Sequence, residues 1–176
     1  HLRALGVTGL YLCPIFEAES MHKYDASDYR HIERSLGGAT PSPYPYAPPH
    51  GETDDPATWT WTEADRFFVD QFLPACRERG IRVVLDGVWN HVGRRHYAFQ
   101  DLLERGIDSP YADWFFVRFN GAGQVAGWIA WDGVNGFLPK FRQTEAGDLV
   151  QPVKDHVFAV TERWMDPDGD GDPADG

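Results

Sequence analysis

Apolar positions along this chain fall first in a continuous run, then at helical spacing, then in a run again. "VTGLYLCPIF" at 7–16 is a mostly apolar run that Pro14 ends, and it predicts a buried strand. Thr62 with Asp65 three residues on predicts a capped helix start, and Gly80 its stop. Between them Phe68, Phe72 and Cys76 recur at helical spacing and make one apolar face. Pro74 falls inside that helix, where a proline costs about 3 kcal/mol, so a kink or an earlier boundary is expected. "IRVVL" at 81–85 predicts a second strand, apolar enough for a parallel sheet covered on both faces. Residues 92–151 show no sustained period and are rich in Gly and aromatics, which reads as a small irregular subdomain. A further helix begins near Pro152, with Val153, Val157, Val160 and Trp164 as its core-facing stripe.

Strand, helix, strand, long excursion, helix is the order of βαβ units in an α/β fold with a parallel sheet. Ligands gather at the carboxyl ends of such strands. In "RVVLDGVWNHVG" at 82–93 the apolar run ends abruptly in Asp86, with Asn90 and His91 close behind. Asp and Asn often bond local backbone after a strand. Three polar groups directly after a core strand point instead to a site.

Composition narrows the ligand. The 176 residues suffice for one domain with a real core, and they are 42% hydrophobic and 14% aromatic. With 27 acidic against 16 basic residues the net charge is -11, which excludes a phosphate-binding surface for nucleic acid or anionic membrane and suits a neutral or cationic ligand. No apolar run is long enough to span a bilayer, and no signal peptide is visible, so no compartment is assigned. Cys13 and Cys76 form no disulfide framework and are expected as buried free thiols. The proline-rich stretch at 39–60 is expected as a stiff surface loop.

Two metal readings arise. "DPDGDGDPADG" at 166–176 sets Asp166, Asp168, Asp170 and Asp172 at alternating positions, with Gly171 allowing a sharp turn. Its start matches the D-x-D-x-D-G opening of a calcium loop, so calcium or magnesium is expected there, against the plainer reading of a solvated acidic turn. Asp86, His91 and His96 could instead ligate a metal in a metal-dependent hydrolase.

Four segments carry a family resemblance. "GVTGLYLCPIFEA" at 6–18, "HKYDASDYRHI" at 22–32, "DGVWNH" at 86–91 and "LPKF" at 138–141 resemble, in order and spacing, motifs of the α-amylase family of glycoside hydrolases. The pattern is most similar to the neopullulanase, cyclomaltodextrinase and oligo-glucosidase-like members. The resemblance implies a partial TIM (β/α)8 barrel with an irregular inserted domain after barrel strand 3. Residues 1–91 would be barrel strands 2 and 3 with the helix between, 92–151 the insertion, and 152–176 barrel helix 3 and the acidic loop. The proline-rich stretch departs from the family pattern, in which this loop is shorter.

By position in those motifs, His91 would hydrogen-bond the sugar before the scissile bond, Tyr24 would stack on its ring, and Asp86 would orient the site. Asn90 matches a calcium-ligand position of many relatives. The implied substrate is an α-glucan or malto-oligosaccharide, with no nucleic-acid or membrane partner. A retaining glycosidase needs two flanking carboxyl groups. In this family these lie on the fourth and fifth barrel strands, so the sequence reads as an incomplete piece without the nucleophile and acid/base. The alternative from another class is a non-catalytic calcium- and carbohydrate-binding module. Trp128, Trp131 and Phe137 are further candidates for sugar platforms, against the plainer reading of core residues.

Overall fold

The computed structural model describes residues 1–37 and 46–172. Most of the proline-rich stretch is therefore visible, while its residues 39–45 lie outside the described part. In chain order the strands are β1 (Gly9–Leu12), β2 (Phe16–Ala18), β3 (Ala26–Ile32), β4 (Arg82–Leu85), β5 (Val117–Phe119), β6 (Val125–Ala130) and β7 (Gly133–Val134). The α-helices are α1 (Glu63–Phe67), α2 (Leu73–Glu78), α3 (Tyr97–Arg105) and α4 (Gln151–Met165).

β1 and β4 pair in parallel, with Tyr11 opposite Val84 and Leu12 opposite Leu85. The two strands therefore end level, and Asp86 leaves from that shared carboxyl end. The single strand expected over 7–16 is two strands. Pro14 has no N–H to continue a ladder, so β1 stops before it and Phe16 starts β2, which runs antiparallel to β3. Cys76 is buried as expected, but Cys13 is exposed, because it sits past the last paired residue of β1.

The helix expected over 62–80 begins as read. Thr62 accepts from the Asp65 amide at 3.2 Å and the Asp65 carboxylate accepts from the Thr62 amide at 2.8 Å, a complete capping box. It is not one helix, however. A π-turn at Phe68–Phe72 separates α1 from α2, and Pro74 falls in the first turn of α2, where its missing N–H is no loss. Gly80 closes the unit with φ +66°, a left-handed conformation that glycine adopts at little cost.

β4 was expected to be covered on both faces. Instead its residues alternate: Arg82 and Val84 are exposed, whereas Val83 and Leu85 pack on the core. The 92–151 stretch, expected to be irregular, holds α3 and an antiparallel sheet in the order β5-β6-β7. The face of α3 is formed by Ala98, Phe99 and Leu102, too short a repeat to stand out from its aromatic surroundings. One hydrophobic cluster runs from Phe16 and Tyr29 through Phe99 and Phe115 to α4. All four stripe residues of α4, Val153, Val157, Val160 and Trp164, are buried.

A buried ionic knot fastens β3 to its surroundings. Arg30 grips Asp28 with two hydrogen bonds, of 2.8 and 2.6 Å, and donates to the Thr53 carbonyl at 2.7 Å. His31 lies between Asp65 at 2.7 Å and Glu52 at 2.8 Å, and Arg163 of α4 stands 3.7 Å from Asp65. Burial pushes the Asp28 carboxyl up, but the Arg30 guanidinium overrides it and holds that carboxyl well below its ordinary range. The knot also pins the visible part of the proline-rich segment through Glu52 and Thr53.

Candidate functional site

The loops that follow β2 and β4 meet at the carboxyl end of the parallel pair. The Tyr24 hydroxyl donates to Asp86 Oδ2 at 2.9 Å. Tyr11, on β1, also faces Asp86. The Asp86 carboxylate beside it, with desolvation, pushes the Tyr11 phenol up to about 12 and raises Tyr24 in the same way. Sequence reading missed Tyr11. Its signal was its place on β1, one residue below the level from which Asp86 departs.

Two backbone contacts set this geometry. Gly93 donates to the Ala26 carbonyl at 2.9 Å, and a Cβ at Gly93 would lie 2.2 Å from the Asp25 carbonyl oxygen, so only glycine permits the approach. The Tyr29 hydroxyl sits 2.6 Å from the Val88 carbonyl and 2.8 Å from that of His91, sharing one proton across both ends of the turn. Asp25 itself is turned inward, accepting from the Ser20 hydroxyl and, at 3.2 Å, from the Ser20 amide.

His91 is only 8% exposed. The Asn90 amide nitrogen, which can only donate, lies 3.1 Å from His91 Nδ1, so Nδ1 accepts and the neutral ring carries its proton on Nε2. Burial lowers the imidazole pKa, which favours that neutral form. Nε2 is buried and has no partner among the described residues. The imidazole lies against the Tyr24 main chain, whose side chain in turn holds Asp86.

The "LPKF" segment braces His91 from the other side. Val92 donates to the Pro139 carbonyl at 3.0 Å and Phe141 to that of Asn90 at 3.1 Å, while Trp131 donates to the Leu138 carbonyl at 2.8 Å. The hairpin of β6 is thereby carried up to His91, and the Trp131 ring lies near-parallel to the imidazole, 6.1 Å between centroids and 18° between planes. Trp128 is different: its indole donates to the Gly136 carbonyl at 2.9 Å and its ring packs on Phe99, so it serves the core. Phe137 is exposed.

The metal expectations separate. Asp166, Asp168 and Asp170 each offer a carboxylate oxygen within 4.8 Å of one another, whereas Asp172 is not part of that group. The Asp166 carboxylate also accepts from the Gly169, Asp170 and Gly171 amides, which folds the loop around it. Asn90 turns its amide nitrogen to His91. Asp86, His91 and His96 form no ligand group among the described residues. His96 is fully buried at the start of α3, where its Nδ1 accepts from the Ala98 amide at 3.3 Å, so the metal-hydrolase reading lacks its third ligand.

The family model described as "Alpha amylase, catalytic domain" matches residues 1–41 and 61–171. The chain belongs to the α-amylase family. The unmatched gap falls in the proline-rich stretch, where the sequence departs from the family pattern. The chain is 33% identical over 173 residues to neopullulanase 2 of Thermoactinomyces vulgaris, covering 97% of this chain and 24% of that protein. It is 32% identical over 167 residues to a cyclomaltodextrinase of a Bacillus species, covering 94% of this chain and 24% of that one. Among solved structures it resembles a cyclic α-maltosyl-(1→6)-maltose hydrolase from Arthrobacter globiformis, with TM-score 0.65 and 33% identity over 94% of this chain and 30% of that one. The chain thus spans about a quarter of the length of these curated relatives. Such neighbours imply that this α-amylase-family chain is part of a TIM barrel, in which β1 and β4 are adjacent strands. All three relatives carry the names of enzymes, which gives the binding-module reading no support.

Proposed function

We propose that this chain forms the sugar-holding rim of a retaining glycosidase that acts on α-glucans or malto-oligosaccharides. The observation that carries the reading is the buried, unpartnered His91 Nε2–H on the same rim as the Tyr24–Asp86 pair. A sugar offers hydroxyls that need fixed donors and acceptors and an apolar CH face that suits an aromatic plate. Here the neutral His91 donates to a hydroxyl, Asp86 accepts from one and orients the site, and the Tyr24 ring lies under the pyranose. The names of the relatives, cyclomaltodextrinase and neopullulanase among them, agree with such a substrate.

Glycosidic cleavage with retention needs a nucleophilic carboxylate and an acid/base carboxyl flanking the bond. Neither role goes to Asp86, which is held by the Tyr24 phenol, nor to Asp25, which is turned onto Ser20. This chain's part is to bind and orient. In this reading, residues 92–151 are an insertion after the third barrel strand that walls the cleft. The Asp166, Asp168 and Asp170 carboxylates suit a hard cation, so the same reading puts calcium in that loop, where it would neutralise the clustered charge. A calcium titration that left the melting temperature of wild type and Asp166→Asn alike would remove the calcium.

The direct test incubates the complete glycosidase of which this chain forms the rim with maltotriose and with a cyclomaltodextrin and measures reducing ends. Hydrolysis is expected, reduced about 10²-fold or more by Asp86→Ala or His91→Ala. Absence of hydrolysis of both sugars by the wild-type protein would end the proposal.

A further inference from the structure

We propose that Trp131 is a specificity-determining residue of this cleft, its indole a stacking plate for a second glucosyl unit beside the one held at His91. The inference rests on the sugar-binding reading of the rim and adds a place on the antiparallel sheet. Trp131 is 65% exposed, an unusual position for so large an apolar ring in a molecule whose other tryptophans pack on the core. Its ring is not loose. The backbone N–H is bonded to Leu138, and the next residue, Asp132, accepts from the Phe137 amide at 2.8 Å and the Leu138 amide at 3.0 Å. A Cβ at Gly136 would lie 2.3 Å from the Asp132 carboxylate, so glycine there lets that carboxylate keep its place in the turn.

The plate is therefore pre-organised, and a ligand that covers it orders little that is not already ordered. The near-parallel His91 ring ties its orientation to the rim: a sugar whose hydroxyl meets His91 Nε2 brings its neighbour toward the indole. Trp128 and Phe137 lack this link. Trp128 is engaged with Gly136 and Phe99, and Phe137 meets the loop after β4 at Arg94, whose amide donates to the Phe137 carbonyl at 2.8 Å. The occupant is a neutral pyranose with a CH face, because Asp132 and the overall charge of -11 disfavour anionic ligands.

The test uses the intact protein and a series from maltotriose to maltoheptaose. Trp131→Ala is expected to raise KM about tenfold for maltoheptaose, to leave kcat unchanged, and to spare the shortest cleaved substrate to within roughly twofold. Trp131→Phe should recover most of the loss. Equal effects at every chain length, or none at any, would overturn the proposal. As a second measurement on the wild-type protein, the Trp131 indole N–H resonance should shift with maltoheptaose and not with glucose, and a resonance that does not move would also overturn it. A wild-type protein that acts on none of these sugars marks failure of the rim reading itself, which no Trp131 variant is needed to reveal.

Discussion

Tyr24 and Asp86 are 62 positions apart in sequence, and their polar atoms are 2.9 Å apart. That bond joins the loop after β2 to the loop after β4 and restrains the Asp86 carboxylate. Tyr24→Phe keeps the ring and removes the bond. We expect kcat/KM on malto-oligosaccharides to fall about tenfold with little change in melting temperature, because the hydroxyl acts on orientation and not on the core. Asp86→Asn should bring the Tyr11 phenol down from about 12 toward an ordinary value, which ultraviolet titration reads directly.

Gly93→Ala is expected to be far more damaging to folding than its size suggests. The added methyl would stand 2.2 Å from one backbone oxygen and 2.7 Å from a backbone carbon of Asp25, neither of which can swing away. Overpacking of that kind costs about 1–3 kcal/mol or more. Chemical denaturation should show it, and the same variant should lose activity because the two rim loops separate.

His31 is expected to set the alkaline limit of stability. Its ring faces Asp65 and Glu52, with Asp28, Arg30 and Arg163 in the same knot. Burial alone would lower its pKa, but the Asp65 hydrogen bond and the surrounding carboxylates outweigh burial and raise it above 6.5. A raised folded-state pKa stabilises the fold below about 6.5 and loses that contribution as pH climbs through the folded value. Urea unfolding of wild type should weaken with rising pH across this range, while His31→Gln should start weaker and stay nearly flat.

The acid limit belongs to two other histidines. His96 and His156 are buried, and desolvation pushes their pKa down to about 3 and about 4. An unfolded chain takes up those protons near pH 6.5, so the stability they carry is complete above that pH and drains away as pH falls toward 4. His156→Phe should flatten the acid limb of a stability-versus-pH curve. An unchanged acid limb would show that other groups control it.

The legible part of this molecule was the part written in local pattern. The α4 stripe, the Thr62 cap and the strand leading into Asp86 all depend on residues within a few positions of one another. Long-range contacts hid the rest. Nothing near Pro14 says that Phe16 will leave one sheet for another, and nothing near Tyr11 says that it will face Asp86. Pro74 did announce trouble, though the remedy was a π-turn one step earlier. The alternating exposure of β4 reflects which neighbours cover it, a tertiary property that an apolar run cannot state. Trp131 looked like one of three equivalent aromatics until the hairpin carried it alone to His91.

A crystal structure of the intact protein with a bound malto-oligosaccharide tests the rim most directly. One glucosyl ring is expected to lie over Tyr24, with a hydroxyl oxygen about 3 Å from His91 Nε2 and another within reach of Asp86. A sugar bound elsewhere, with His91 Nε2 still unpartnered, would contradict it.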